Sequence, residues 1–308
     1  MNILQQFKNV RKIKHGISSD EKYYVESTNG EEFFLRIFDE KLYTRRKNEF
    51  EMMQDLDETG VPIAKPVDLG MSEGKGYYTT EWLEGKTLSS SRKDLSNNEI
   101  YSYGLRAGKV LKKIHSMYSI DEEWASYYIE DNKRLIKMLE ESELVIDKLG
   151  IVTDYFNSYE RLLKMRPSSL LHNDYGSHNI MISSDGSLSV FDFANHDYGD
   201  AWSDFRYAVP PPDKRKCRED ANFASFFPTG CIHGYFDVQS GNTVPQDFWP
   251  LFALYSILQR TASITYFFNK PDILEKRVRG LEDELHCYDD MKVVKPIWYE
   301  NTIRELLR

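Results

Sequence analysis

The sequence predicts an α+β protein: a small antiparallel β-rich amino-terminal lobe followed by a larger, mostly helical carboxy-terminal lobe. Three observations carry this. Up to Leu83 the apolar residues fall in short aromatic and β-branched runs bounded by turn signals. Beyond Leu88 they recur at helical spacing over long stretches with few breakers. One short β segment, Leu170 to Phe193, interrupts those helices. The 308 residues, 41% hydrophobic and 29% charged, are enough for at least one sizeable core. That composition excludes collagen, coiled coil and intrinsic disorder.

The elements follow in order. Lys22–Ser27 and Glu32–Phe38 read as strands joined by the turn Thr28-Asn29-Gly30. Arg45 to Thr59 places Phe50, Met53 and Leu56 at helical spacing, and Gly60 ends the helix. Two prolines make Val61–Pro66 an extended connector. Gly76–Leu83 is a further strand, broken by Glu84-Gly85. Helices are expected over Asn98–Tyr118, Glu122–Leu149, Thr153–Met165, Phe248–Phe268 and Pro271–Leu285. The aromatic stripe of Phe248–Phe268 reads as core. The division is therefore residues 1–83 and residues 87–308, joined at about 81–86.

Charge and cysteines narrow the classes. With 40 basic against 49 acidic residues the chain carries −9, which argues against nucleic-acid binding, since that needs a basic face. Cys217, Cys231 and Cys287 form neither a disulfide framework nor a close-spaced zinc motif. The apolar run Phe248–Leu258 contains Pro250 and is far shorter than a bilayer span of about 20 residues, so no membrane partner is expected. The first residues are too polar for a signal peptide, so a cytoplasmic location is expected.

Chemistry concentrates in Leu170–Asp204. His172-x-Asp174 is followed by Asn179, then by the hairpin Ile180–Ser183 and Leu188–Phe191 around an Asp185-Gly186 turn, and then by Asp192-Phe193. Asn179 enters one hairpin strand and Asp192 leaves the other, so both lie at the same end. Their oxygens can share a hard cation such as Mg²⁺, and Asp174 can face a substrate hydroxyl. Phosphoryl transfer asks for such a set.

This spacing equals that of the protein-kinase catalytic loop, and the segment resembles the aminoglycoside phosphotransferase family, small-molecule kinases of the protein-kinase-like bilobal fold. The resemblance implies that Asp174 is the catalytic aspartate, that Asn179 and Asp192 are metal ligands, and that His172 buttresses the loop. Gly199-Asp200 and Asp204 resemble the stretch that braces the catalytic loop. Asn173 stands where glycine is usual, and Ala194 where a protein kinase has glycine. Arg36 occupies the place of the strand lysine that contacts nucleotide phosphates, with Glu49, or Glu51, as its helix partner. Ser18, in His15-Gly16-Ile17-Ser18-Ser19, resembles the nucleotide loop, and Glu81 and Leu83 the hinge that meets the base.

The implied activity is transfer of the γ-phosphoryl group of ATP or GTP, with Mg²⁺, to a hydroxyl of a small molecule. An aminoglycoside-type antibiotic is the family's namesake acceptor, which would make the protein a resistance enzyme. Alternative acceptors are a macrolide or another small metabolite. No Ala-Pro-Glu follows Asp192, which argues against a protein acceptor. Two other classes stand beside this one: a catalytically inactive nucleotide-binding pseudokinase, and a hydrolase with zinc on His172, Asp174, His178 and His196. Oligomeric state is not readable from the sequence.

Overall fold

The computed structural model describes residues 2–14, 19–117, 123–209 and 225–308. These divide into two compact units, each discontinuous in sequence. The first comprises residues 1–91 and 178–196, the second residues 92–177 and 197–308.

The first unit is built on a five-stranded antiparallel sheet of order β1-β2-β3-β5-β4. Its strands are β1 (Asn9–Ile13), β2 (Glu21–Glu26), β3 (Glu32–Asp39), β4 (Pro66–Ser72) and β5 (Lys75–Glu81). The β2–β3 loop forms as the turn signal predicts: Gly30 N–H bonds Ser27 O, and Gly30 takes φ +85°, where glycine meets no Cβ penalty. Glu73 and Gly74, both at positive φ, close β4–β5 tightly.

Strand alternation sorts the two faces. Tyr23, Val25, Leu35 and Ile37 join Ile3 in an apolar cluster on one face. On the other, Phe38 and Tyr78 meet Phe50 of helix α1 (Tyr43–Glu58), with ring centroids 6.2 and 6.3 Å from Tyr78. Arg36 pairs in register with Lys22 on one side and Tyr78 on the other, so all three share the α1 face.

A second, three-stranded sheet completes this unit: β6 (Lys86–Thr87), β8 (Ile180–Ile182) and β9 (Leu188–Val190), in the order β6-β8-β9. Helix α2 (Leu88–Ser91) follows β6. The hairpin is expected to belong with residues 87–308, yet it clusters with the first unit. The reasons are backbone bonds: β6 pairs with β8, Val190 N–H donates to Pro62 O, and Ala64 N–H donates to Val190 O. Gly85, at φ +136°, lies so close to Ile182 that a Cβ would sit 2.1 Å from its carbonyl oxygen.

The second unit holds α3 (Asn97–Ile114), α4 (Trp124–Glu140), α5 (Leu149–Leu163), α6 (Phe205–Ala208), α7 (Phe226–Tyr235), α8 (Phe248–Tyr266), α9 (Pro271–His286) and α10 (Ile297–Leu306), with a two-stranded ladder of β7 (Ser169–Leu171) and β10 (Asp197–Gly199). Ser96 and Glu99 form a capping box at the start of α3. Glycines let α3 and α7 touch backbone to backbone: a Cβ on Gly108 would meet Cys231 O at 2.1 Å, and one on Gly234 would meet Leu105 O at 2.0 Å.

The single helix expected over Glu122–Leu149 instead stops at Glu140. There the Ser142 hydroxyl bonds Leu139 O and accepts from Leu144 N–H, offering the backbone partners outside a helix. Phe248, Trp249, Phe252 and Tyr255 are buried as an aromatic core stripe requires, while Tyr266 at the end of α8 is exposed. Glu284 of α9 is buried against Arg260. No helix among the described residues is long and apolar enough to cross a membrane.

Candidate active site

Each unit carries part of the predicted site. In the first, β3 delivers Arg36 and α1 delivers Glu49 to the same buried space, with Arg36 Nη1 3.3 Å from Glu49 Oε1. Glu51 points outward and pairs with Lys47, so Glu49 is the residue beside Arg36. Glu49 also accepts from Arg46 Nη1 at 2.6 Å and from the Tyr78 hydroxyl at 2.9 Å. Asp20 pairs with Arg46 and lies 3.8 Å from Arg36 Nε.

The cluster reaches the hairpin through Asp192, whose Oδ1 accepts from Arg36 Nη2 at 2.8 Å and whose Oδ2 lies 3.7 Å from Lys22 Nζ. Arg36, Arg46 and Lys22 thus face Glu49, Asp20 and Asp192, three cations to three carboxylates. Burial alone would lower the pKa of Arg36, but its electrostatic interactions with Tyr78 and with the Asp192 and Glu49 carboxylates raise it. Burial drives the Tyr78 hydroxyl well above its ordinary value, so it serves as a neutral donor.

The hairpin geometry follows the sequence. Ile180 pairs with Val190, and Phe191 N–H donates to Asn179 O at 3.1 Å, so Asn179 and Asp192 flank one end. Asn179 is buried, while the Asp192 side chain keeps 30% exposure on a left-handed backbone at φ +64°. Such positions among non-glycine residues favour Asn and Asp and recur at functional loops. Beyond Asp192, Phe193 is buried and Ala194 O accepts from Arg45 of α1 at 3.0 Å.

An amide oxygen and a carboxylate are the hard donors that Mg²⁺ takes. Among the described residues no group of three or more His, Cys, Asp or Glu is arranged to hold a metal.

In the second unit, the loop His172–Tyr175 is mounted on Asp204. Asp204 accepts from His172 N–H and Asn173 N–H, both at 2.8 Å, and lies 3.1 Å from His115 Nε2. Because a carboxylate only accepts, His115 Nε2 donates to it, and His115 Nδ1 lies 3.1 Å from the Tyr235 hydroxyl. Full burial pushes the Asp204 carboxyl up, but the His115 hydrogen bond and the His115, His172 and Arg206 charges outweigh it and hold it below the usual carboxylate value.

Asn173 sits at φ +59°, the region that glycine visits freely and asparagine tolerates best. Its side-chain oxygen accepts from Arg206 Nη2 at 2.7 Å and from the Tyr207 hydroxyl at 3.1 Å. The Tyr175 hydroxyl ties the other end of the loop to Ala107 O of α3 at 2.7 Å. His172 is fully buried with its ring edge-on to Tyr175, and Asp174 is half-buried between these anchors. Asp200 is held by both arms of Arg166 and by the Tyr255 hydroxyl, a structural brace.

The remaining positions are simpler. Glu81 ends β5, exposed, with its N–H bonded to Lys65 O at 2.8 Å, and Leu83 follows half-buried. Ser18 lies outside the described residues. Asp20, Lys22, Arg46 and Tyr78 carry no motif. The one signal for Lys22 and Tyr78 is strand register with Arg36, which cannot be read until the pairing is known.

No curated protein matches the sequence. Among solved structures, the streptomycin–ATP ternary complex of APH(2")-IIa aligns at 17% identity and TM-score 0.62, covering 94% of this chain and 95% of that one. Amicoumacin kinase hAmiN with AMP-PNP, Ca²⁺ and its substrate aligns at 16% identity and TM-score 0.60, covering 95% and 90%. The GDP complex of a mutant aminoglycoside 2'-phosphotransferase-IIIa aligns at 13% identity and TM-score 0.67, covering 92% and 94%. The fold is thus protein-kinase-like, as the sequence predicts. A family model described as the phosphotransferase enzyme family, APH, matches residues 9–229, and with that match spanning both the Arg36–Asp192 cluster and the Asp204-mounted loop, the chain belongs to that family.

Proposed function

We propose that the protein transfers the γ-phosphoryl group of ATP or GTP to a hydroxyl of a small molecule. The observation that carries this is the hairpin end, where Asn179 and Asp192 flank one Phe191–Asn179 backbone bond and Asp192 is held by Arg36. In this reading Asp174 orients the acceptor hydroxyl and takes its proton. The hydroxyl oxygen forms the new bond to the γ-phosphorus, the bridge to the β-phosphate breaks, and the nucleoside diphosphate leaves. Asn179 and Asp192 hold Mg²⁺, which when bound offsets phosphate charge. Arg36, steadied by Glu49, supplies positive charge behind the phosphates. The backbone near Glu81 and Leu83 receives the base, and Ser18 lies over the phosphates. The donor side is supported by neighbours that hold ATP, AMP-PNP or GDP.

For the acceptor we favour an amine-bearing antibiotic of the aminoglycoside type, an assignment that makes this a cytoplasmic resistance enzyme. Its support is the chain's −9 charge and the streptomycin and gentamicin complexes among the neighbours. The test is labelled ATP and GTP against aminoglycosides, macrolides and amino alcohols. Label transfer to at least one acceptor is expected, and Asp174→Asn should lower turnover about 10³-fold while nucleotide binding stays within about threefold. Equal turnover in that variant removes Asp174 from the chemistry.

A further inference from the structure

We propose that Lys22 on β2, rather than Arg36, is the cation that grips the nucleotide's phosphate chain, and that Arg36 is a buried strut holding Asp192. This rests on the phosphotransferase reading and assigns a residue that no motif marks. Lys22 and Arg36 are register partners on adjacent strands, so their side chains leave the sheet on the same face and converge on one carboxylate, Asp192.

Their circumstances differ. Arg36 has 2% side-chain exposure, and its three nitrogens face Glu49 at 3.3 Å, Asp192 at 2.8 Å and Asp20 at 3.8 Å. Turning that planar fork toward a ligand would strip buried carboxylates of their partner, a change worth several kcal/mol in a desolvated network. Lys22 keeps 12% exposure, and its Nζ stands 3.7 Å from Asp192 Oδ2, longer than a hydrogen bond. An ammonium on a four-carbon stem carries three rotatable donors and can swing to a new anion without disturbing the rest of the cluster.

With a divalent cation bound on Asp192, that carboxylate would offer Lys22 less charge, and phosphates bound beside it would offer the ammonium stronger acceptors. The positive charge that a strand-three lysine would provide is thereby divided here between two adjacent strands, one fixed and one mobile.

Calorimetry on the full chain with Mg²⁺ plus ATP, GTP or inorganic tripolyphosphate tests this. In Lys22→Met, affinity for the preferred nucleotide and for tripolyphosphate should both fall about 10- to 100-fold, the worth of one charge-assisted bond. Melting should stay within about 2 °C of wild type, and Lys22→Arg should recover most of the loss. Should Lys22→Met prove unstable, amine acetylation of the wild-type chain read by mass spectrometry decides, with Mg²⁺–tripolyphosphate expected to protect Lys22 several-fold. Unchanged affinity in Lys22→Met, a loss confined to nucleotide and absent for tripolyphosphate, or unprotected Lys22 overturns the inference alone. A wild-type chain that binds none of the three ligands overturns the phosphotransferase reading as well.

Discussion

In the first unit three cations and three carboxylates share one buried space, whereas in the second a single carboxylate, Asp204, is buried among two peptide N–H groups and one imidazole. The first arrangement is exchangeable at its edge, where the Lys22 ammonium can trade partners and the outermost carboxylate, Asp192, keeps 30% exposure. The second is fixed, because backbone donors cannot leave without unfolding the loop that they belong to. In the proposed reaction, a metal and a triphosphate that come and go would suit the first environment, and a loop that must hold one aspartate still would suit the second.

The comparison breaks most sharply at Asp204. Asp204→Asn replaces one acceptor oxygen with an NH₂ that faces peptide donors, and a loss of about 3 kcal/mol in denaturant unfolding is expected. Because the folded carboxyl lies below its ordinary value, its contribution is present above about pH 4 and is lost as pH falls through the folded value. Wild type should therefore lose more stability than the variant below pH 4, and parallel curves would remove Asp204 from this role.

Next in size is the helix crossing in the same unit. Gly108→Ala puts a methyl 2.1 Å from Cys231 O and 2.7 Å from Tyr235 N, both backbone atoms that no rotamer change can move. About 1–3 kcal/mol of destabilisation is expected, whereas Gly150→Ala in α5, with nothing within 4 Å, should be neutral or slightly stabilising. Equal melting temperatures for the pair would contradict the crossing.

The smallest effect sharpens the role of the mount. Asn173→Gly keeps the left-handed backbone without strain but releases Arg206 and Tyr207. Stability should change by less than about 1 kcal/mol, while turnover falls about threefold at unchanged nucleotide KM. Unaltered turnover would mean that the Asn173 tether does not help to position Asp174.

Where a physical signal is local, the sequence announced it. Gly30 and Asp185-Gly186 mark their turns, the Phe50, Met53 and Leu56 spacing marks α1, and two residues bracketing a hairpin necessarily meet at one end. β1 escaped because Asn9–Ile13 is almost wholly exposed and so shows no apolar alternation. β4 escaped because it opens on Pro66, admissible at the first position of an edge strand. The ion cluster was half legible: Arg36 and Glu49, with Glu51 as the alternative, came from the family resemblance, while Lys22, Asp20 and Arg46 depend on pairing register and on burial, neither of which composition encodes. Asn173, which looks like a departure, is explained by a φ that no sequence displays.

The discontinuity of the first unit bears on how the chain is made. Its sheet is finished by Glu81, but the hairpin that adds β8 and β9 and brings Asp192 to Arg36 ends only at His196, 115 residues later (196 − 81). At roughly 5–20 residues per second of synthesis, the nascent sheet waits on the order of 5–20 s with Arg36 lacking one carboxylate partner. Until His196 leaves the ribosome, therefore, the unit that starts to emerge first of the two cannot be completed.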